Sequence, residues 1–148
     1  RSGKEPKIVT EQPQRFRHWA PPGGSMVVPT AEGVDAVIRQ VGKGRLTTLQ
    51  EIRDCLARCH GTSIACPVTT GIFISISARA AEEMRDLGDP DITPYWRVLR
   101  NDGSLNDKFP GGAAAQGKRL KAEGHRVELS GRVLAVAGYE SKLAKLRP

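Results

Sequence analysis

The sequence predicts a mainly α-helical fold with one small β-hairpin, in which two helices form a helix-turn-helix and the hairpin follows as a wing. Three observations carry this. The first is a capping box, Thr48 and Glu51, at the head of an apolar stripe of Ile52, Cys55, Leu56 and Cys59 that stops at Gly61. The second is Pro67, suited to the first position of a helix, with the strong helix former ARAAEEMRDL after it. The third is the pair HRVEL and VLAV around Ser130, Gly131 and Arg132, two short strands with a turn between them.

The remaining elements follow in order. Residues 1–28 hold Pro6, Pro13, Pro21, Pro22, Gly23 and Gly24 among scattered charges, which predicts a basic, flexible tail with Phe16 and Trp19 as candidate anchors. Residues 29–148 form the domain. Thr30 caps a first helix whose apolar face is Val34, Val37, Ile38 and Val41, and Gly42 and Gly44 end it. In the next segment Ile72, Ile74 and Ile76 alternate like a strand. Val68, Ile72, Ile76 and Ala80, however, recur every fourth residue, so one helix over residues 67–87 is the expectation. GGAAAQGKRLKAEG predicts a further helix, weakened by Gly117, and residues 139–146 a short final one.

Composition narrows the function classes. The 148 residues carry a net charge of +7, which favours polyanion partners, nucleic acid before an acidic membrane surface. No apolar run approaches the roughly 18 residues of a membrane span. The three cysteines form no CxxC pair, and an odd count without an apolar leader points to reduced thiols inside a cell. Cys55, Cys59 and His60 are read as structural, with no metal and no cofactor expected.

Residues 92–112 read ITPYWRVLRNDGSLNDKFPGG and carry four landmarks in order with AEG at 122–124: PYWRV, NDGSL, PGG and AEG. They resemble the O6-alkylguanine-DNA alkyltransferases, whose pattern is PCHRV, a glycine-containing turn, YSGG and a helix ending in EG. They resemble still more the alkyltransferase-like proteins, which keep the fold but replace the acceptor cysteine. GRLTTLQEI extends the similarity towards the N-terminus, so that it covers about residues 31–134.

The resemblance implies the winged helix-turn-helix of the alkyltransferase DNA-binding domain. It implies a monomer that binds double-stranded DNA, including DNA with alkylated bases, flips a nucleotide and signals to repair proteins. Tyr95 occupies the acceptor cysteine position and Trp96 that of the activating histidine. A phenol with a pKa near ~10 is a poor substitute for a thiolate, so no methyl transfer is expected. The implied base pocket is Tyr95, Trp96, Arg97, Val98, Phe109, Gly111, Gly112 and Glu123. The implied DNA contacts are Ser63, Thr69, Thr70, Phe73, Arg100, Asn101, Lys108 and Lys118, with Phe73 at the position of the residue that fills the gap left by the flipped base. Leu49 and Pro110 replace two family hydrogen-bond donors to guanine, which leaves the recognised base open. An enzyme acting through Tyr95 or Glu123, and a plain helix-turn-helix transcription regulator, are the alternative readings.

Overall fold

The computed structural model describes residues 5–10 and 24–148; the expected anchors Phe16 and Trp19 lie outside them. Local chemistry sets the helix starts. Thr30 is extended and its hydroxyl accepts the Gly33 N–H at 3.0 Å, which opens α1 (Ala31–Ile38). Thr48 does the same for Glu51 at 3.2 Å, opening α2 (Leu49–His60), and Gly61 closes that helix at φ 66°. Pro67 then starts α3 (Pro67–Asp86), an unbroken helix of 20 residues. α4 (Gly112–Ala122) follows the Gly111–Gly112 turn, where both residues have positive φ (79° and 74°).

Short strands tie these helices together. β1 (Lys7–Val9) runs antiparallel to β2 (Met26–Val28), which pairs in parallel with β4 (Ile64–Ala65). β3 (Thr47–Thr48) pairs in parallel with β5 (Val98–Leu99). β6 (Val127–Ser130) and β7 (Val133–Val136) form the expected hairpin, turning at Gly131 and Arg132 with Gly131 at φ 67°. The segment assigned to the tail therefore reaches into the domain: Met26 and Val27 are fully buried beside α2 and β4.

The core has two parts. The larger lies among α1, α2 and α3, with Val34, Ile38, Ile52, Leu56 and Ile74 at its centre. The smaller joins Leu46, Leu99, Leu105, Leu120 and Val136, and Trp96 packs against both. Each large side chain so buried contributes about 1.5–3 kcal/mol. Gly117 lies in the smaller part, where a Cβ would stand 3.2 Å from Leu105 Cδ2. The glycine that weakens α4 in isolation thus permits its close packing.

Three expectations change. The Val68, Ile72, Ile76 ridge of α3 predicts a core-facing side, yet all three are exposed, and the buried face is Thr70, Ile74, Ser77, Ala78 and Ala81. Small residues at 77, 78 and 81 let α1 and α3 approach closely, which outweighs the gain from burying larger ones. Cys59 is exposed while Cys55 is buried. The expected final helix is a 3₁₀ turn, Tyr139–Lys142, after which the chain extends. Among the described residues no helix is long and apolar enough to cross a membrane.

That extended end closes the domain. Ala144 N–H bonds Leu46 O at 2.8 Å, and the Gln40 side chain bonds both the N–H and the C=O of Arg147 (2.7 and 2.8 Å). Leu146 is buried in the larger core. Leu146→Ala should cost about 2–4 kcal/mol, read as a lower urea midpoint with an unchanged slope.

Candidate nucleic-acid interface

The PYWRV segment forms a 3₁₀ turn, Tyr95–Arg97, packed between α3 and α4. Tyr95 is only 3% exposed. Its hydroxyl donates to Glu82 Oε2 at 2.7 Å, and that carboxylate also meets Arg85 and Arg119, each at 2.8 Å. The Tyr95 ring stands edge-on to Trp96 (5.4 Å) and Phe109 (5.2 Å). The Arg119 guanidinium lies 4.3 Å over the Trp96 ring. Burial, and then the bond to Glu82, push the Tyr95 phenol well above its ordinary range. Burial alone would raise the Glu82 carboxyl, but hydrogen bonds from Tyr95 and Arg85 and the charge of Arg119 hold it below the usual range.

Glu123 closes a second network. Arg97 Nε donates to its Oε1 at 3.0 Å and Arg97 Nη2 to its Oε2 at 2.8 Å, while Trp96 Nε1 donates to Oε2 at 3.1 Å. Arg97 Nη1 reaches back to Val41 O at 2.6 Å. Desolvation opposes the Glu123 charge, yet the Arg97 and Trp96 hydrogen bonds prevail and lower its pKa. Trp96, Arg97 and Glu123, expected to line a base pocket, are therefore engaged with one another and with backbone.

Gln116 completes the frame. It is buried, its Nε2 donates to Trp96 O and Val98 O (both 3.0 Å), and its Oε1 accepts the Asn106 N–H at 2.8 Å. One amide thus fixes the 96–98 and 106 backbones against α4. Its signal in the sequence is a lone amide in the run AAAQG. Glu82 and Arg119 carry no such signal, because their partner Tyr95 is distant in sequence from both.

Two concavities flank Phe109 and Pro110. The first, of about 500 Å³, opens between the N-terminal half of α3 and residues 98–109. Its apolar wall includes Leu49, Val68, Ile72, Val98 and Phe109; its polar rim includes Arg100, Asn101 and Lys108. Among the described residues that line it, two are cations and none is a carboxylate. Val68 and Ile72 are 54% and 53% exposed beside it. Asn101 Oδ1 accepts the Gln50 N–H at 2.8 Å, joining this loop to the first turn of α2. The β6–β7 hairpin supports the same loop from behind, with Leu105 N–H bonding Leu134 O at 2.9 Å. The second concavity, about 580 Å³, lies towards the C-terminal half of α3, with Tyr95, Gly111, Lys118 and Arg119 among its lining residues.

The expected contacts divide accordingly. Val98, Phe109, Arg100, Asn101 and Lys108 meet at the first concavity; Tyr95, Gly111 and Lys118 meet at the second. Gly112 begins α4 and lines neither. Thr70 is fully buried, its hydroxyl donating to Cys66 O at 2.6 Å, so it is corrected from DNA contact to helix support. Phe73 is half-buried against the larger core, beside Thr69, Pro29 and Ala31. Ile72 and Val68, whose fourth-residue spacing marked the helix, are exposed apolar side chains at the open site. Ser63 is exposed, and its hydroxyl accepts the Ser25 N–H at 3.1 Å.

No protein-family model matches the chain, and no curated protein matches its sequence. Its fold is similar to two crystal structures from S. pombe: Atl1 in complex with damaged DNA containing O6-carboxymethylguanine, and ATL in complex with DNA. Each has a TM-score of 0.52 and 19% identity, covering 78% of this chain and 94% of the other. The likeness is one of fold.

The two lowered carboxyls set an acid limit on stability. A carboxyl with a depressed folded pKa stabilises the fold above its unfolded value, near ~4.3, and that contribution is lost as pH falls through the folded value. His125, whose pKa burial lowers, adds a shallower loss starting near ~6.5. The urea midpoint should therefore decline gently below about pH 6.5 and steeply below about pH 4.5. Glu123→Gln should lower the midpoint at pH 7 and flatten the steep acid limb.

Proposed function

We propose that the chain is a non-enzymatic DNA-binding protein of the alkyltransferase-like type. It grips duplex DNA through a winged helix-turn-helix made by α2, α3 and the β6–β7 hairpin, and it takes a damaged base into the first concavity. Retention of that complex then signals repair. The observation that supports this reading is a contrast between an open concavity and a buried tyrosine. A cationic, apolar-walled concavity sits on the exposed face of the second helix, while Tyr95, at the acceptor position, is buried with its proton committed to Glu82. The fold shared with Atl1 bound to damaged DNA supports it.

The chemistry of each part fits the role. Arg100 and Lys108 offer charge to phosphates, and Thr69 and Ser63 offer hydroxyls. Leu49, Val68 and Ile72 offer an apolar wall to a base. Ile72 replaces Phe73 as the wedge that fills the vacated stack: it projects at the open site, whereas the neighbouring Phe73, turned about 100° around α3, packs on the core. The residual-enzyme reading is disfavoured by the same geometry, since neither the Tyr95 oxygen nor Glu123 is free to act as base or nucleophile.

Binding to a panel of duplexes, each with one modified base, tests this. Affinity should fall at least about tenfold between roughly 50 and 200 mM salt. Ile72→Ala should weaken binding and base opening, read by 2-aminopurine fluorescence, more than Phe73→Ala corrected for stability. Salt-independent binding, or a footprint at one preferred undamaged sequence, would sink the reading. Tyr95→Cys should accept no methyl group from O6-methylguanine DNA by intact mass. The new thiol would sit beside a carboxylate, without a histidine to activate it.

A further inference from the structure

A third concavity, about 450 Å³, lies on a different face, between α1 and the C-terminal half of α3. Its floor is apolar: Ile76, Ala80 and Met84 from α3 with Ala36 from α1, and both Ile76 and Met84 are exposed. Along α3 this floor extends about 12 Å, two helical turns. Its rim is acidic. Asp35, Asp89 and Asp91 line it; among the described lining residues Arg39 is the one cation, and it pairs with Asp35 and Asp91.

The groove is also fixed in shape. Asp35 accepts Arg39 Nε at 3.0 Å and the Thr93 hydroxyl at 2.7 Å, and Arg39 Nη1 reaches Asp91 at 3.4 Å. These bonds hold α1 against the 89–93 loop, so an occupant meets a preformed surface. The chain as a whole carries a net charge of +7, so this concentration of carboxylates is local. It repels phosphate, and so it is unsuited to DNA or to an anionic membrane. An apolar trough two turns long with charged edges is the shape into which an amphipathic helix lays its apolar face.

We propose that this groove docks a basic amphipathic helix of a partner protein, with its apolar side chains on Ile76, Ala80 and Met84 and its lysines and arginines on the acidic rim. The site is separate from the first concavity, so partner and DNA can be held at once. The two lie on different halves of α3 and carry opposite charge.

The probe is a labelled synthetic helix with leucines at i, i+4 and i+7 flanked by lysines, and its twin with glutamates in place of the lysines. Fluorescence anisotropy is measured with the full chain at moderate salt, without DNA. The lysine peptide should bind about tenfold or more tightly than the glutamate peptide. Ala80→Arg, an exposed substitution that fills the trough, should weaken it about tenfold. Asp91→Asn should weaken it by a smaller factor, and saturating duplex DNA should leave it unchanged. Equal binding of the two peptides, no binding, or loss on adding DNA would overturn the proposal. So would a concentration-dependent dimer abolished by Ala80→Arg in sedimentation, which would assign the groove to a second copy of the chain.

Discussion

The arrangement depends on one buried ion pair. Arg97 and Glu123 meet with little water access, through two short hydrogen bonds. Replacing such a pair by apolar residues can be neutral, but removing one partner strands a charge, at a typical cost of about 3–5 kcal/mol. Its role here is placement. Glu123 ends α4, Arg97 continues to the backbone of Val41 just after α1, and Trp96 donates to the same carboxylate. Three regions of chain are thereby locked around the 3₁₀ turn. With that turn fixed, Tyr95 can only face α3, where Glu82 accepts its proton, and residues 98–109 can only form the wall opposite Val68 and Ile72.

The surroundings of Tyr95 set what its hydroxyl can do. A nucleophile must be reachable and must gain from losing its proton. Tyr95 meets neither condition, since burial and the carboxylate both disfavour the phenolate. Arg119 compensates the Glu82 charge and stacks on Trp96, so the ring cluster is as fully partnered as a core. The first concavity lies on the other side of Phe109, where two cations and several apolar side chains line it. Such a surface combines charge for an anionic ligand with apolar area for contact.

Much of the fold was legible because local chemistry specifies it. Thr30, Thr48, Gly61, Pro67 and Gly111 each mark a helix end by a hydrogen bond or a backbone angle, and Gly131 marks the hairpin turn. The rotation of α3 was not legible. Periodicity favoured burying Val68, Ile72 and Ile76, but the competing face of alanine and serine permits closer helix contact, and only the packed assembly decides between them. The site was legible in part. Arg100, Asn101, Lys108 and Phe109 follow one another closely and share a loop. Glu123 was visible as a motif position, yet its true partners depend on a neutral tryptophan and an arginine turning towards it. Met26 and Val27 were hidden by their proline- and glycine-rich surroundings, which mask a strand that pairs with a segment far along the chain.

The way residues 144–147 are stitched down has a bearing on biosynthesis. Leu146 fills the space between helices formed from the first half of the chain, and the Gln40–Arg147 bonds span 107 positions. A nascent polypeptide emerging from the ribosome can wind α1 and α2 early, because their caps are local. It cannot seal the space between them until residue 147 has cleared the exit tunnel, so the seam stays open while the intervening residues are made.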